Sequence, residues 1–248
     1  MAKQTSIITL SGNIGKLNFF KNRDGYQARE KGGVSKSRIM TDPRYARTRE
    51  NIAEFTINAA AVKLLKDTIR PALIKISDPR LHQRLVRRML EILRTDPVNN
   101  RGERQVAEGD WLLMQGLEMN VRANMATVLK PEITYSNTAS DWQASIPAFQ
   151  PADFVSIPEG ATHFRIFAVG ASVDFSTLER NFLMEASAEL PIGDVTSVIN
   201  LTVPKATLVN PHKVFLLGIE FLQLVNGQQY ALSNGTHNAA SIITAEKA

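Results

Sequence analysis

The sequence predicts an α+β fold: an N-terminal β-hairpin, two amphipathic helices and a C-terminal antiparallel β-sandwich. Three observations carry the prediction. An Asp-Gly step lies between two strand-like runs near the N-terminus, apolar residues recur at helical spacing from about residue 43 to residue 94, and short β-branched or alternating runs fill most of the remainder. The 248 residues, 44% hydrophobic and 21% charged, suffice for one large domain or two small ones and lie in the globular range. The expected organisation is a hairpin and basic arm over 1–41, a helical segment over 42–97 and the sandwich over 98–248.

Ser6-Ile-Ile-Thr-Leu10 reads as a strand ending at the turn composition Ser11-Gly12-Asn13. Lys16 to Phe20 and Tyr26 to Arg29 flank Asn22-Arg23-Asp24-Gly25, so residues 16–30 form a hairpin whose glycine accepts positive φ. Residues 30–41 contain Gly32-Gly33 and Ser35-Lys36-Ser37-Arg38 and have little to bury, which predicts an exposed loop or arm. At Asp42-Pro43 a helix begins, with Asp42 as cap and Pro43 in the first position, where no amide donor is needed. Ile52, Phe55, Ala59, Val62, Leu65 and Ile69 then mark its apolar face until Pro71 ends or kinks it. The start signal returns at Asp78-Pro79. Leu81, Leu85, Met89, Ile92 and Leu93 form a second stripe before Thr95-Asp96-Pro97 stops it. The two helices pack as a hairpin or against a sheet.

Behind a polar connection over 98–110 the texture turns to β. Strands are expected near 133–136, 163–174, 182–190, 197–203, 213–225, 229–232 and 241–244, with Asn226-Gly227 closing the clearest hairpin. Trp111 to Leu129 fits either helix or strand, and Trp111–Leu117 is read as strand. This pattern is that of an antiparallel sandwich or barrel.

The chemistry open to the chain is narrow. No cysteine is present, which excludes disulfides, thiolate catalysis and iron–sulfur clusters. His82, His163, His212 and His237 lie in four separate segments without a metal-binding spacing, so neither metal nor cofactor is expected. The G-x-S-x-G elbow is absent, and Gly12-Asn-Ile-Gly15-Lys16 fails the spacing of a phosphate loop. Glu185 and Glu189, four apart on an expected strand, share a face that reads as the polar outside of a sheet. No apolar run is long enough to span a membrane, and Met1 to Ser11 lacks the features of a secretory signal. The expected location is cytoplasmic or virion-like, or reached by another export route. No catalytic constellation emerges, and no small-molecule substrate is evident.

The informative feature is charge. Residues 1–100 carry 20 Lys and Arg against 9 Asp and Glu (+11), whereas residues 101–248 carry 9 against 15 (−6). Lys16, Lys21, Arg23, Arg29, Lys31, Lys36 and Arg38 interleave with Phe19, Phe20 and Tyr26, a mix found on nucleic-acid platforms. Phe19 and Phe20 must point to opposite faces of a strand, so at least one is expected in the core. Arg80, Arg84, Arg87, Arg88 and Arg94 give the second helix a cationic face for phosphates or for the acidic half of a neighbouring copy.

Gly12-Asn-Ile-Gly15-Lys-Leu-Asn-Phe19-Phe20, the hairpin glycine Gly25, and Asp42-Pro-Arg44 with Arg47 and Arg49 opening a helix resemble a family of uncharacterised Bacteroidota proteins. The likeness covers about the first 60 residues by motif and the rest by pattern. It implies a glycine-bounded hairpin and basic arm ahead of helices and an Ig-like sandwich, and a noncatalytic structural role. The functional expectation is therefore self-assembly with copies of itself, as a filament, surface layer or phage-like particle. The alternative is nucleic-acid binding by the basic arm and the arginine helix. A third reading is a carbohydrate-binding or carbohydrate-cleaving sandwich with Trp111 and Trp142 as sugar platforms.

Overall fold

The computed structural model describes residues 2–5, 8–30 and 32–247. The protein is α+β and divides into two compact units, Met1–Glu50 and Asn51–Ala248. Residues 51–97 of the expected helical segment share the second unit with residues 98–248, while its residues 42–50 belong to the first.

The first unit holds a four-stranded antiparallel sheet in the order β1-β4-β3-β2, from β1 (Ala2–Lys3), β2 (Gly12–Ile14), β3 (Leu17–Asn22) and β4 (Gly25–Glu30). The predicted hairpin is β3–β4, registered from Leu17↔Glu30 to Asn22↔Gly25, with Gly25 at φ 101°. Three expectations change around it. Gly12–Ile14 is an edge strand and not a turn, because Gly15, at φ 56°, folds it back onto β3. Of the strand expected at 6–10, Ser6 and Ile7 lie outside the described residues. Ile8–Leu10 are not in a strand, and the Leu10 N–H donates to Gln4 Oε1 at 2.8 Å. Within the expected loop, Lys36–Thr41 form a short helix, α1, whose first turn Ser35 caps by accepting from the Arg38 N–H. Asp42 caps the next turn as predicted, accepting from the Arg44 N–H at 3.0 Å.

The helix α2 (Ala46–Thr68) crosses the division between the units. Then come α3 (Arg70–Leu73), α4 (Leu81–Arg94), α5 (Met125–Val128) and α6 (Pro151–Phe154). Strands β5 (Thr134–Asn137), β6 (Asp141–Ile146) and β10 (Ile199–Pro204) form a three-stranded antiparallel sheet. The larger sheet runs β12-β11-β7-β8, from β7 (His163–Val173), β8 (Arg180–Ala186), β11 (His212–Val225) and β12 (Gln228–Ala231). Two further strands join it: β9 (Leu190–Pro191) on β7 and β13 (Ala239–Lys247) on β11.

Residues of the larger sheet enter two separate cores. On one face Phe167, Val169, Val214 and Leu216 pack with Val62, Leu65, Leu85 and Met89 of α2 and α4. On the other, Ile166, Phe215, Leu217 and Phe221 pack with Trp142, Ile146, Leu201 and Val203 of the smaller sheet. The second unit is thus three-layered, helices on sheet on sheet. This explains why β7 and β11 read as continuous apolar runs while β10, covered on one face, alternates.

The first half of α2 departs from its predicted stripe. Ile52 and Phe55 are 49% and 51% exposed, and Glu54 and Asn58 are buried instead. The reason lies in what they meet. Glu54 accepts from Arg104 Nε at 2.7 Å, Arg104 Nη2 at 3.1 Å and the Gly102 N–H at 2.9 Å, and Asn58 donates to the Val86 carbonyl. Burial favours the neutral form of Glu54, yet the bonds from Arg104 and Gly102 prevail and its pKa is lowered. Trp111–Met114 is a 3-10 turn, not a strand, capped by Asp110, and Trp111 Nε1 donates to the Lys213 carbonyl at 2.8 Å. Strand β6 was not anticipated, although its buried Trp142, Ala144 and Ile146 alternate with Asp141, Gln143 and Ser145.

Gly218 on β11 lies against Phe167; a Cβ there would fall 2.3 Å from the ring and 2.9 Å from Ala240 Cβ. Gly218→Ala is expected to lower stability by about 1–3 kcal/mol in urea unfolding, the usual cost of overpacking a filled core.

Asp96, just past α4, organises the connection that follows. Its carboxylate accepts from the Val98, Asn99 and Gln105 N–H groups and from Asn99 Nδ2. Burial opposes the charge, but these four bonds outweigh it and hold the pKa at about 2. A depressed folded pKa gives stability that is complete above the ordinary value of 3.8 and is lost as pH falls towards about 2. Between those limits the wild type should lose unfolding free energy more steeply than Asp96→Asn.

Candidate functional site

The charge asymmetry also separates the two units, by a smaller difference than between the halves of the chain. Residues 1–50 hold 11 Lys and Arg against 4 Asp and Glu, net +7, while residues 51–248 hold 18 against 20, net −2.

Pairing in the N-terminal sheet sorts its side chains. Ile14, Leu17, Phe19, Lys21, Tyr26 and Ala28 share one face, and Lys3, Asn13, Asn18, Phe20, Gln27 and Arg29 share the other. Phe19 and Phe20 do take opposite faces, but neither enters a core; both are half-buried. Indeed no described residue of the first unit is buried, and Ile14 and Leu17 are openly exposed. The aromatic rings carry the unit's own cations: Lys21 Nζ sits 5.1 Å from the Tyr26 ring centre and the Arg29 guanidinium 5.3 Å from that of Phe20. Lys16 and Lys36 make no ion pair among the described residues. Arg38 pairs with Asp42 at 3.4 Å. Arg23 lies at the tip of the hairpin turn, and Lys31 falls outside the described residues. Arg49, not among the expected residues, donates to the Ile39 and Asp42 carbonyls and ties down the end of α1.

The arginines of α4 do not form one free cationic face. Arg84 pairs with the carboxylate of Asp78, whose side chain is only 2% exposed, and also donates to the Met119 carbonyl. Arg87 and Arg88 share Glu91, at 3.1 and 3.7 Å. Arg80 extends from the start of the helix and is exposed. The row of like charges in the sequence concealed one structural residue and two paired ones.

Other expectations resolve as structure. Trp111 and Trp142 are fully buried, which removes them as sugar platforms. Glu189 lies beyond the end of β8 and pairs with Arg165, so Glu185 and Glu189 do not share a strand face. His212 is buried against Trp111 and Phe175; burial lowers its pKa despite the bond between its ring and the Ala107 carbonyl. Among the described residues no group of three His, Asp or Glu converges as a metal site, and no helix is long and apolar enough to cross a membrane.

Two constellations were not anticipated. Glu118 and Tyr135 meet in a cleft of about 380 Å³ with Leu129, Pro131 and Ile243, and burial raises the pKa of both groups. Sequence could not join them, because Glu118 lies in the segment of ambiguous type. A cavity of about 530 Å³ gathers Lys63, Lys66 and Arg70, whose spacing of three and four was a legible sign of one basic helix face. Comparison with protein-family models, curated proteins and solved structures gave no match.

Removing Arg84 leaves the buried Asp78 carboxylate without its cation, held only by the Arg80 and Val121 N–H groups. Arg84→Ala should cost about 3 kcal/mol or more in chemical unfolding, whereas Arg87→Ala should cost less than about 1 kcal/mol.

Proposed function

We propose that the protein is a noncatalytic structural protein that self-assembles through its N-terminal unit. One observation carries the reading: a four-stranded sheet with an apolar face has no buried residue among those described. Small sheets of this kind are marginal in water unless a second layer covers them. Ile14, Leu17, Phe19 and Tyr26 supply apolar surface for such a layer, and the three-residue edge strand β2 leaves a row of backbone groups able to pair with another chain. A second copy suits the charges, since a +7 unit meets a body of net −2 in its neighbour. The resemblance to a family with a hairpin and basic arm ahead of a sandwich supports the same role.

Nucleic-acid binding is the second reading, favoured by the same +7 charge and by Lys16 and Lys36. Against it, the rings that would stack bases lie on both faces of the sheet, and two of them, Tyr26 and Phe20, are already attended by Lys21 and Arg29.

Sedimentation velocity over a concentration series, with negative-stain microscopy at low and high salt, tests the assembly. The wild type should associate with rising concentration, and Ile14→Glu with Leu17→Glu should weaken association by about tenfold or more. A wild type that stays monomeric at low salt would overturn the reading. Salt-sensitive binding of a single-stranded oligonucleotide by that monomer would favour the second one.

A further inference from the structure

A cavity of about 530 Å³ in the second unit lies where α2 ends, between α3 and the first turn of α4. Lys63 and Lys66 of α2, Arg70 of α3 and His82 of α4 line it. Asp67 is its one carboxylate, and Lys63 Nζ holds it at 2.9 Å. That hydrogen bond lowers the Asp67 pKa, with the charges of Arg180 and Arg70 adding to it, so Asp67 stays ionised and neutralises Lys63. Lys66 and Arg70 make no side-chain hydrogen bond or ion pair among the described residues, and although Asp67 feels the charge of Arg70, three cations line the cavity against one carboxylate.

Helix ends attract cations, because the last carbonyls carry partial negative charge. That attraction is modest and asks for one basic residue in the last turn. It does not explain why Lys66, Arg70 and His82 come from three elements to line a single space. Nor does it explain Ile74, which stands 74% exposed on the same rim. An excess of two cations over carboxylates, with donors of different shape, an imidazole and an apolar rim match an oxyanion carried on an organic body. Arginine supplies a planar fork for two oxygens and lysine a point charge for a third.

We infer that this cavity binds a phosphate group, borne by a ligand whose organic part packs over Ile74. The inference is independent of the assembly reading, since it uses no residue of the first unit. The same chemistry is offered by a soluble phosphate ester and by the head group of an anionic phospholipid.

Calorimetric titration of the full chain with inorganic pyrophosphate at low ionic strength tests the site. Saturable one-to-one binding is expected. Lys66→Gln with Arg70→Gln should weaken it by about tenfold or more, as removal of charge-assisted bonds does. The control pair Arg87→Gln and Arg88→Gln removes as much charge from α4 and should change affinity less than about twofold. Both pairs leave buried residues untouched, and circular dichroism melts verify folding. Sedimentation with phosphatidylglycerol against phosphatidylcholine vesicles separates the sources. Selective retention on the former, lost in Lys66→Gln with Arg70→Gln, identifies a lipid head group; pyrophosphate binding without vesicle binding identifies a soluble ester. No pyrophosphate binding, or equal loss in the two pairs of variants, overturns the inference.

Discussion

The pairing of β7 with β11 is the constraint on which the rest of the second unit depends. Eleven residue pairs, from His212↔Val173 to Leu222↔His163, form a ladder that is covered on both faces. A ladder in that position needs apolar side chains on both sides and an independent layer for each. The helices supply one and the small sheet the other. Close approach also fixes its glycines. A Cβ at Gly170 would lie 2.5 Å from Val203 Cγ1, so the small sheet can approach β7 only because that side chain is missing. Glu220 is the exception in the apolar run, a buried carboxylate on the helical face. Lys75, beyond α3, and Arg165, on β7, both bind it. The charge is tolerable because two cations meet it, and the pairing anchors the loop after α3 to the sheet. The Lys75 carbonyl is itself fixed by Asn238 Nδ2, and a Cβ at Gly235 would lie 2.2 Å from it.

Much of this fold was legible in the sequence, and what was missed has common causes. Long buried strands and the amphipathic helix α4 announce themselves because burial writes a periodic or continuous apolar signal. The first half of α2 broke that rule. Glu54 is buried because Arg104, fifty positions away, reaches back to it, and no local pattern encodes such a partner. Trp111–Leu117 misled in the same manner: Trp111, Met114 and Leu117 are buried in the helical core while Leu112 is exposed, because the backbone of Trp111–Met114 follows a short 3-10 turn. The helix α1 was hidden by its polar composition, although Ser35 was a recognisable cap. Of the candidate site, the charges were visible and their partners were not. Arg84 and Arg80 look alike in sequence, yet one is half-buried on a buried carboxylate and the other is exposed.

The two units embody different physical strategies. The body of the protein hides its apolar surface in two cores and uses buried ion pairs to fix connections. The N-terminal unit, with a high positive charge in few residues, holds its sheet by backbone pairing, by side-chain bonds such as those of Gln4, and by cations resting on aromatic rings. A segment built in that way keeps its apolar face accessible. Charge of one sign also discourages two such faces from meeting without an acidic counterpart, which gives directionality to any association.

The positions of the two tryptophans make the protein its own reporter. Trp111 lies in the helical core, hydrogen-bonded to a carbonyl and edge-on to His212, whereas Trp142 is stacked on Phe215 in the sheet–sheet core with no partner for its indole N–H among the described residues. One indole therefore sits beside an imidazole and the other beneath the Lys205 ammonium, 4.7 Å from its ring centre, on opposite sides of the same ladder. Single-tryptophan versions would separate the loosening of one layer from that of the other without any external label.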